Sequence, residues 1–112
     1  MNIILISTIL FIFIGILEIL LSIPLIFMKI KPNNYFGFRT KQTVADTTIW
    51  YKVNKRFGLL LIGSGVVLII GMMFSMLYPL TIMDALLIGL IILFTTLLIS
   101  LIYGLIYSRT IS

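Results

Sequence analysis

The acidic side chains of this chain are three: Glu18, Asp46 and Asp84. There is no Cys and no His. Disulfides, thiol chemistry and the usual transition-metal sites are therefore excluded, as are His-based triads and relays. Asp46 and Asp84 each follow a Thr by three positions, Thr43 and Thr81. That is the spacing of a capping box, so both are read as helix-end residues. Glu18 is different, because it interrupts an apolar run over residues 3–28. An ionisable group inside a span costs about 2.5–3.5 kcal/mol by insertion scales, which makes it a functional suspect by default. Ser7, Phe11, Gly15, Glu18 and Ser22 fall on one helical stripe, as do Gly89, Thr96, Ser100, Tyr103 and Tyr107. Measured along a helix from the nearest basic flanks, Glu18, Ser64 and Ser100 lie at similar depths, roughly 12–16 Å. They are expected to form one buried polar cluster. It is either a structural hydrogen-bond network or a proton or ligand site.

A second group of residues is concentrated between positions 29 and 56. Lys31-Pro-Asn-Asn-Tyr-Phe-Gly-Phe-Arg-Thr40 is followed by Thr43, Trp50, Asn54 and Gly58. Gly37, between aromatic residues, permits a positive φ or a close approach. Arg39 offers a planar fork suited to a carboxylate or phosphate. Trp50, Asn54 and Gly58 are one helical turn apart and share a face. Asn33, Arg39, Trp50 and Asn54 are expected to converge into one hydrogen-bonded site, with Gly37, Thr40 and Thr43 around it. The segment also carries Lys29, Lys31, Arg39, Lys41, Lys52, Lys55 and Arg56, seven of the eight basic residues. Membrane topology and attraction to lipid headgroups account for that charge. Nucleic acid is not needed to explain it.

The elements that position these residues follow from composition. Of 112 residues, 62% are apolar and 10% charged. A soluble domain of this size has too little interior to hide so much apolar surface. The fold class expected is an all-α membrane protein: three transmembrane helices with a structured basic cytoplasmic loop. Residues 1–112 form a single membrane domain, with spans at about 3–28, 57–78 and 82–107. Each apolar run is long enough to cross once, and only helices satisfy their own backbone groups in lipid. No basic n-region or small-residue cleavage site marks a signal peptide, so the first run is expected to remain as a span. With three spans, the motif loop and Arg109 share a side. The positive-inside rule makes that side cytoplasmic, with the N-terminus outside. One helix is expected to run from about Val44 into the second span. Its first turns, with Ile49, Trp50, Val53 and Phe57 on one face, suit the membrane interface. The Thr81–Asp84 box after Pro79 predicts a tight hairpin at the opposite end. The small-residue spacing Ser100-xxx-Gly104-xxx-Ser108 predicts close packing within the bundle.

The loop motif resembles the signature of the SdpI membrane-protein family. Pro32, Asn33, Gly37, Arg39, Thr40, Thr43, Trp50, Asn54 and Gly58 match its pattern in order. Members of that family include immunity proteins that protect a producing cell from its own secreted peptide toxin. They carry an additional membrane domain before this one, so the resemblance implies a short, stand-alone member here. It further implies toxin binding by the motif residues, and sequestration of a cytoplasmic repressor through the loop.

The expected function is thus immunity to a membrane-active peptide, with no enzyme activity and no cofactor or metal. Expected partners are membrane lipids, the peptide toxin, and a cytoplasmic repressor or another membrane subunit. Two alternatives stand beside it. One is a small proton-coupled exporter using Glu18, similar to the small multidrug-resistance transporters, although those have four spans and lack this loop. The other is a structural subunit of a membrane complex.

Overall fold

The computed structural model describes residues 3–33, 35–79 and 81–111. Asn34 of the loop motif and Leu80 of the hairpin therefore lie outside the described residues, as does the side chain of Gln42. Four helices follow one another: α1 (Ile3–Ile26), α2 (Lys41–Ala45), α3 (Thr47–Ser75) and α4 (Ile82–Ile111). Among the described residues there is no strand. The helices α1, α3 and α4 are long and apolar enough to cross a membrane. The fold is that of an all-α membrane protein with three such helices.

Sequence explains where each helix stops. Pro24 stands in the last turns of α1, and Met28 just beyond takes a left-handed conformation, φ 58°. The Lys29 N–H donates to the Pro24 carbonyl at 2.9 Å and the Met28 N–H to the Leu25 carbonyl at 3.3 Å. These are the two bonds of a Schellman cap, closed here by Met in place of the usual Gly. At the other end of the molecule, Thr81 and Asp84 exchange the two bonds of a capping box, at 3.3 and 3.2 Å. The Thr81–Asp84 cap at the start of α4 is the one the sequence predicts.

The start of the second span differs from expectation. No single helix runs through from Val44. Asp46 is extended, φ −133° and ψ 117°, and divides α2 from α3. Its carboxylate accepts from Thr48 N–H at 2.8 Å and Ile49 N–H at 3.2 Å, making it the N-cap of α3. The expected Thr43–Asp46 box is replaced by one between Thr40 and Thr43, which caps α2. The physical reason is that Asp at an N-cap satisfies two orphan donors. Thr43 can then close a box with the preceding Thr.

Helix α3 is central and packs against both α1 and α4. A Cβ on Gly65 would lie 2.5 Å from the Gly15 carbonyl oxygen. Only a pair of glycines lets α1 and α3 approach so closely. Towards the hairpin end, Phe11, Leu68 and Met72 form the buried apolar centre. Phe13, Leu20, Phe94 and Ile102 are among many large apolar side chains left exposed, which is the surface a hydrocarbon solvent requires. The molecule is 50 Å long and about 20 Å across its two short axes, 23 and 19 Å.

Candidate functional site

The loop motif folds down onto the bundle as a latch. Asn54 is the bolt. It lies about one turn after Trp50 in α3, and it is buried. Its Oδ1 accepts from the Phe38 N–H at 2.5 Å, and its Nδ2 donates to the Phe38 carbonyl at 3.2 Å. A side-chain amide thus pairs with both backbone groups of one loop residue, as a strand neighbour would. Nδ2 also donates to the Trp50 carbonyl at 2.9 Å. Gly37 makes this approach possible. Its φ is 108°, and a Cβ there would lie 2.7 Å from Asn54 Oδ1 and 3.3 Å from the Trp50 ring. Any side chain would be strained by the backbone and blocked by the bolt.

Trp50 is fully buried. Its indole N–H donates to the Ile30 carbonyl at 2.8 Å, tying the end of α1 to the start of α3. Phe38 is the apolar tongue of the latch. Its ring lies 5.3 Å from that of Phe57, tilted by 48°. A Cβ on Gly104 would come within 2.8 Å of it. The Ser100-Gly104-Ser108 stripe is buried, and at Gly104 what fits into it is this loop aromatic rather than a helix.

The other motif residues are not drawn into one centre. Asn33 organises its own turn: its Oδ1 accepts from the Tyr35 and Phe36 N–H groups at 2.8 and 2.7 Å, and its Nδ2 donates to the Lys31 carbonyl at 2.7 Å. This is an Asx turn. Thr40 and the fully buried Thr43 are engaged in their capping box. Arg39 is exposed and, among the described residues, makes no hydrogen bond or ion pair. It sits with Thr40, Lys41, Val44 and Ala45 around a shallow hollow. The expected convergence of Asn33, Arg39, Trp50 and Asn54 therefore holds only for Trp50 and Asn54. Asn33 acts locally, because its amide reaches backbone groups two and three residues away. Arg39 is exposed instead, just ahead of the Thr40 cap of α2.

Within the bundle, Ser64 and Ser100 are buried. Ser64 donates to Thr96 Oγ1 at 2.7 Å, and the Thr96 hydroxyl donates to the Ile92 carbonyl at 2.7 Å. Ser100 donates back to the Thr96 carbonyl at 2.9 Å. Thr96 is thus the hub joining α3 to α4. Glu18 lies against α3 beside Gly65, at the depth of Ser64. Its two carboxylate oxygens are buried and make no hydrogen bond among the described residues. Ser64 and Ser100 thus meet around Thr96, and the Glu18 carboxyl borders that network beside Ser64 without a close bond of its own.

Phe38 is the structural residue that spacing alone passes over. Thr96 was visible in the polar stripe of α4. Phe38 carried no signal beyond its place between Gly37 and Arg39, since an aromatic in a loop reads equally well as an interfacial anchor.

The three apolar helices and the latched loop define a multi-span helical membrane protein. Residues 29–108 match the model of the SdpI/YfhL protein family, and the chain belongs to that family. The match covers the latch, all of α3 and most of α4. No curated protein sequence and no solved structure matches the chain.

Proposed function

We propose that this family member confers immunity to a secreted, membrane-active peptide toxin by binding it within the bilayer. On this reading the basic end faces the cytoplasm and the loop contacts a cytoplasmic partner. Family membership supports the class of function. One geometric observation carries the assignment of the loop: of the polar side chains among the nine residues that match the family signature, Arg39 is exposed and makes no hydrogen bond or ion pair among the described residues, while Asn33, Thr40, Thr43, Trp50 and Asn54 are engaged in internal bonds. A rigidly held loop that displays one guanidinium is suited to gripping a partner carboxylate bidentately. On this reading the role is non-catalytic: the chain has no Cys or His, and Asp46 and Asp84 serve as caps.

The test is survival of a toxin-sensitive cell expressing the protein, challenged with a panel of secreted membrane-active peptides. Survival should rise for at least one peptide, and Arg39→Lys should abolish the gain at unchanged membrane levels. No gain with any peptide overturns immunity. Full protection by Arg39→Lys overturns the assignment of the loop.

A second reading, a proton-coupled exporter, is favoured by the buried and unpartnered carboxylate oxygens of Glu18. It predicts that Glu18→Gln, which cannot titrate, abolishes function in a normally folded protein. Retained protection in Glu18→Gln rejects it.

A further inference from the structure

Where α3 leaves the latch, its outer face carries Lys52, Lys55 and Arg56. These three line a cavity of about 420 Å³ together with Met28, Leu59 and Tyr107 of α4. No acidic side chain lines it. Arg56 is held in place by the Tyr107 ring, its guanidinium carbon 4.9 Å from the ring centroid. Such a stacked guanidinium keeps its fork of donors free for an oxyanion.

This cavity does not end at its polar mouth. Leu59 is shared with a second hollow of about 230 Å³ further along the same α3–α4 face, lined by Leu60, Gly63, Val67 and Ile99 among others. From Leu59 to Val67 the slot runs roughly 12 Å up the helix. Three hydroxyls also border it, those of Ser64, Thr96 and Ser100. Each of them already donates within the bundle, Ser64 to Thr96, Thr96 to Ile92 and Ser100 to Thr96. The slot therefore offers little but hydrocarbon. Its floor is Gly63, where a Cβ would meet nothing within 4 Å. Elsewhere in the spans the glycines admit a neighbouring residue, as Gly65 admits α1 and Gly104 admits Phe38. Gly63 opens onto unfilled space.

We propose that this face is a binding site for one anionic phospholipid, its phosphate seated among Lys52, Lys55 and Arg56 and one acyl chain lying in the slot over Gly63. The observations that select a lipid over a free anion are the continuity of the two hollows at Leu59 and the apolar lining of the second. Charge complementarity selects an anionic headgroup over a zwitterionic one. Basic pockets between membrane helices at the headgroup level are suited to such lipids.

The experiment is lipid retention by the full chain, read by native mass spectrometry after release from nanodiscs. The nanodiscs contain equal parts of phosphatidylglycerol and phosphatidylcholine of identical acyl composition. The expected result is one retained phosphatidylglycerol per protein. Each Lys or Arg at the headgroup level contributes about fivefold, so Lys52→Gln with Arg56→Gln should cut the preference roughly 25-fold. Gly63→Leu should fill the slot and reduce retention with no loss of thermal stability, because a Cβ at Gly63 meets nothing within 4 Å and its side chain extends into open space. Inorganic phosphate, added as a competitor, should not displace the lipid. Equal retention of the two lipids overturns the proposal. So does unchanged retention in a stably folded Gly63→Leu protein, or displacement by inorganic phosphate, which would make the site one for a free anion.

Discussion

Asn54 ties the loop to α3. Three of its bonds end on backbone groups, those of Phe38 and Trp50. Truncation to Ala would leave the Phe38 N–H and carbonyl buried and unpaired. Orphaned groups of this kind cost about 1–3 kcal/mol. Asn54→Ala should lower the thermal midpoint in detergent and expose the 35–40 segment to proteolysis. Retention of wild-type stability would show that the latch contributes little. Glu18 calls for the opposite expectation. Were it part of the Ser64–Ser100 network, replacement by Leu would strand hydroxyls. Because Ser64 donates to Thr96, and the Glu18 oxygens lie buried beside Ser64 without a close hydrogen bond among the described residues, Leu removes a poorly satisfied buried polar group while Ser64 keeps its bond to Thr96. Glu18→Leu should therefore stabilise the folded protein, by about 1–3 kcal/mol on the usual cost of an unpaired buried group. A loss of stability would indicate a partner for the carboxyl.

The short break between α2 and α3 decides how the loop is presented. Asp46 turns the chain by staying extended and capping α3. Loss of such a cap costs roughly 1 kcal/mol. Asp46→Ala should speed hydrogen exchange at residues 48–50 and leave the membrane-spanning part of α3 unchanged. Uniform protection across that junction in the variant would mean that packing of Trp50, and not the cap, holds the helix start. The Schellman closure at Met28 acts in the same way, by meeting backbone groups that the end of α1 leaves open.

In the molecule as a whole, the ends of α1 and α4 and the start of α3 gather at one pole. Phe38 on Gly104 and Arg56 on Tyr107 demonstrate this. Arg109 lies in the last turn of α4 at that same pole. All eight basic residues are thus brought to one end of a molecule 50 Å long. The positive-inside rule then gives a definite expectation. A reporter fused after the C-terminus should be active in the cytoplasm only, and one fused into the α3–α4 hairpin should be active outside only. The reverse pattern would overturn the proposed orientation.

The sequence by itself determined the number of apolar helices, the cap at Thr81–Asp84 and the identity of the motif. Each of these depends on residues close together along the chain, or on the bulk cost of exposing apolar surface to water. It also marked Gly37, Trp50 and Asn54 as belonging together, because one helical repeat and one glycine are local signals. Only the tertiary structure decided what those residues touch. Asn54 meets a backbone sixteen positions earlier, Trp50 a carbonyl twenty positions earlier, and Ser64 a threonine thirty-two positions later. Stripes on separate helices can be aligned in depth from their flanks, as Glu18, Ser64 and Ser100 were. Depth does not say which hydroxyl faces which, since that depends on the rotation of each helix about its own axis. Helix rotation is set by where glycines allow close approach, and that is a property of the packed bundle.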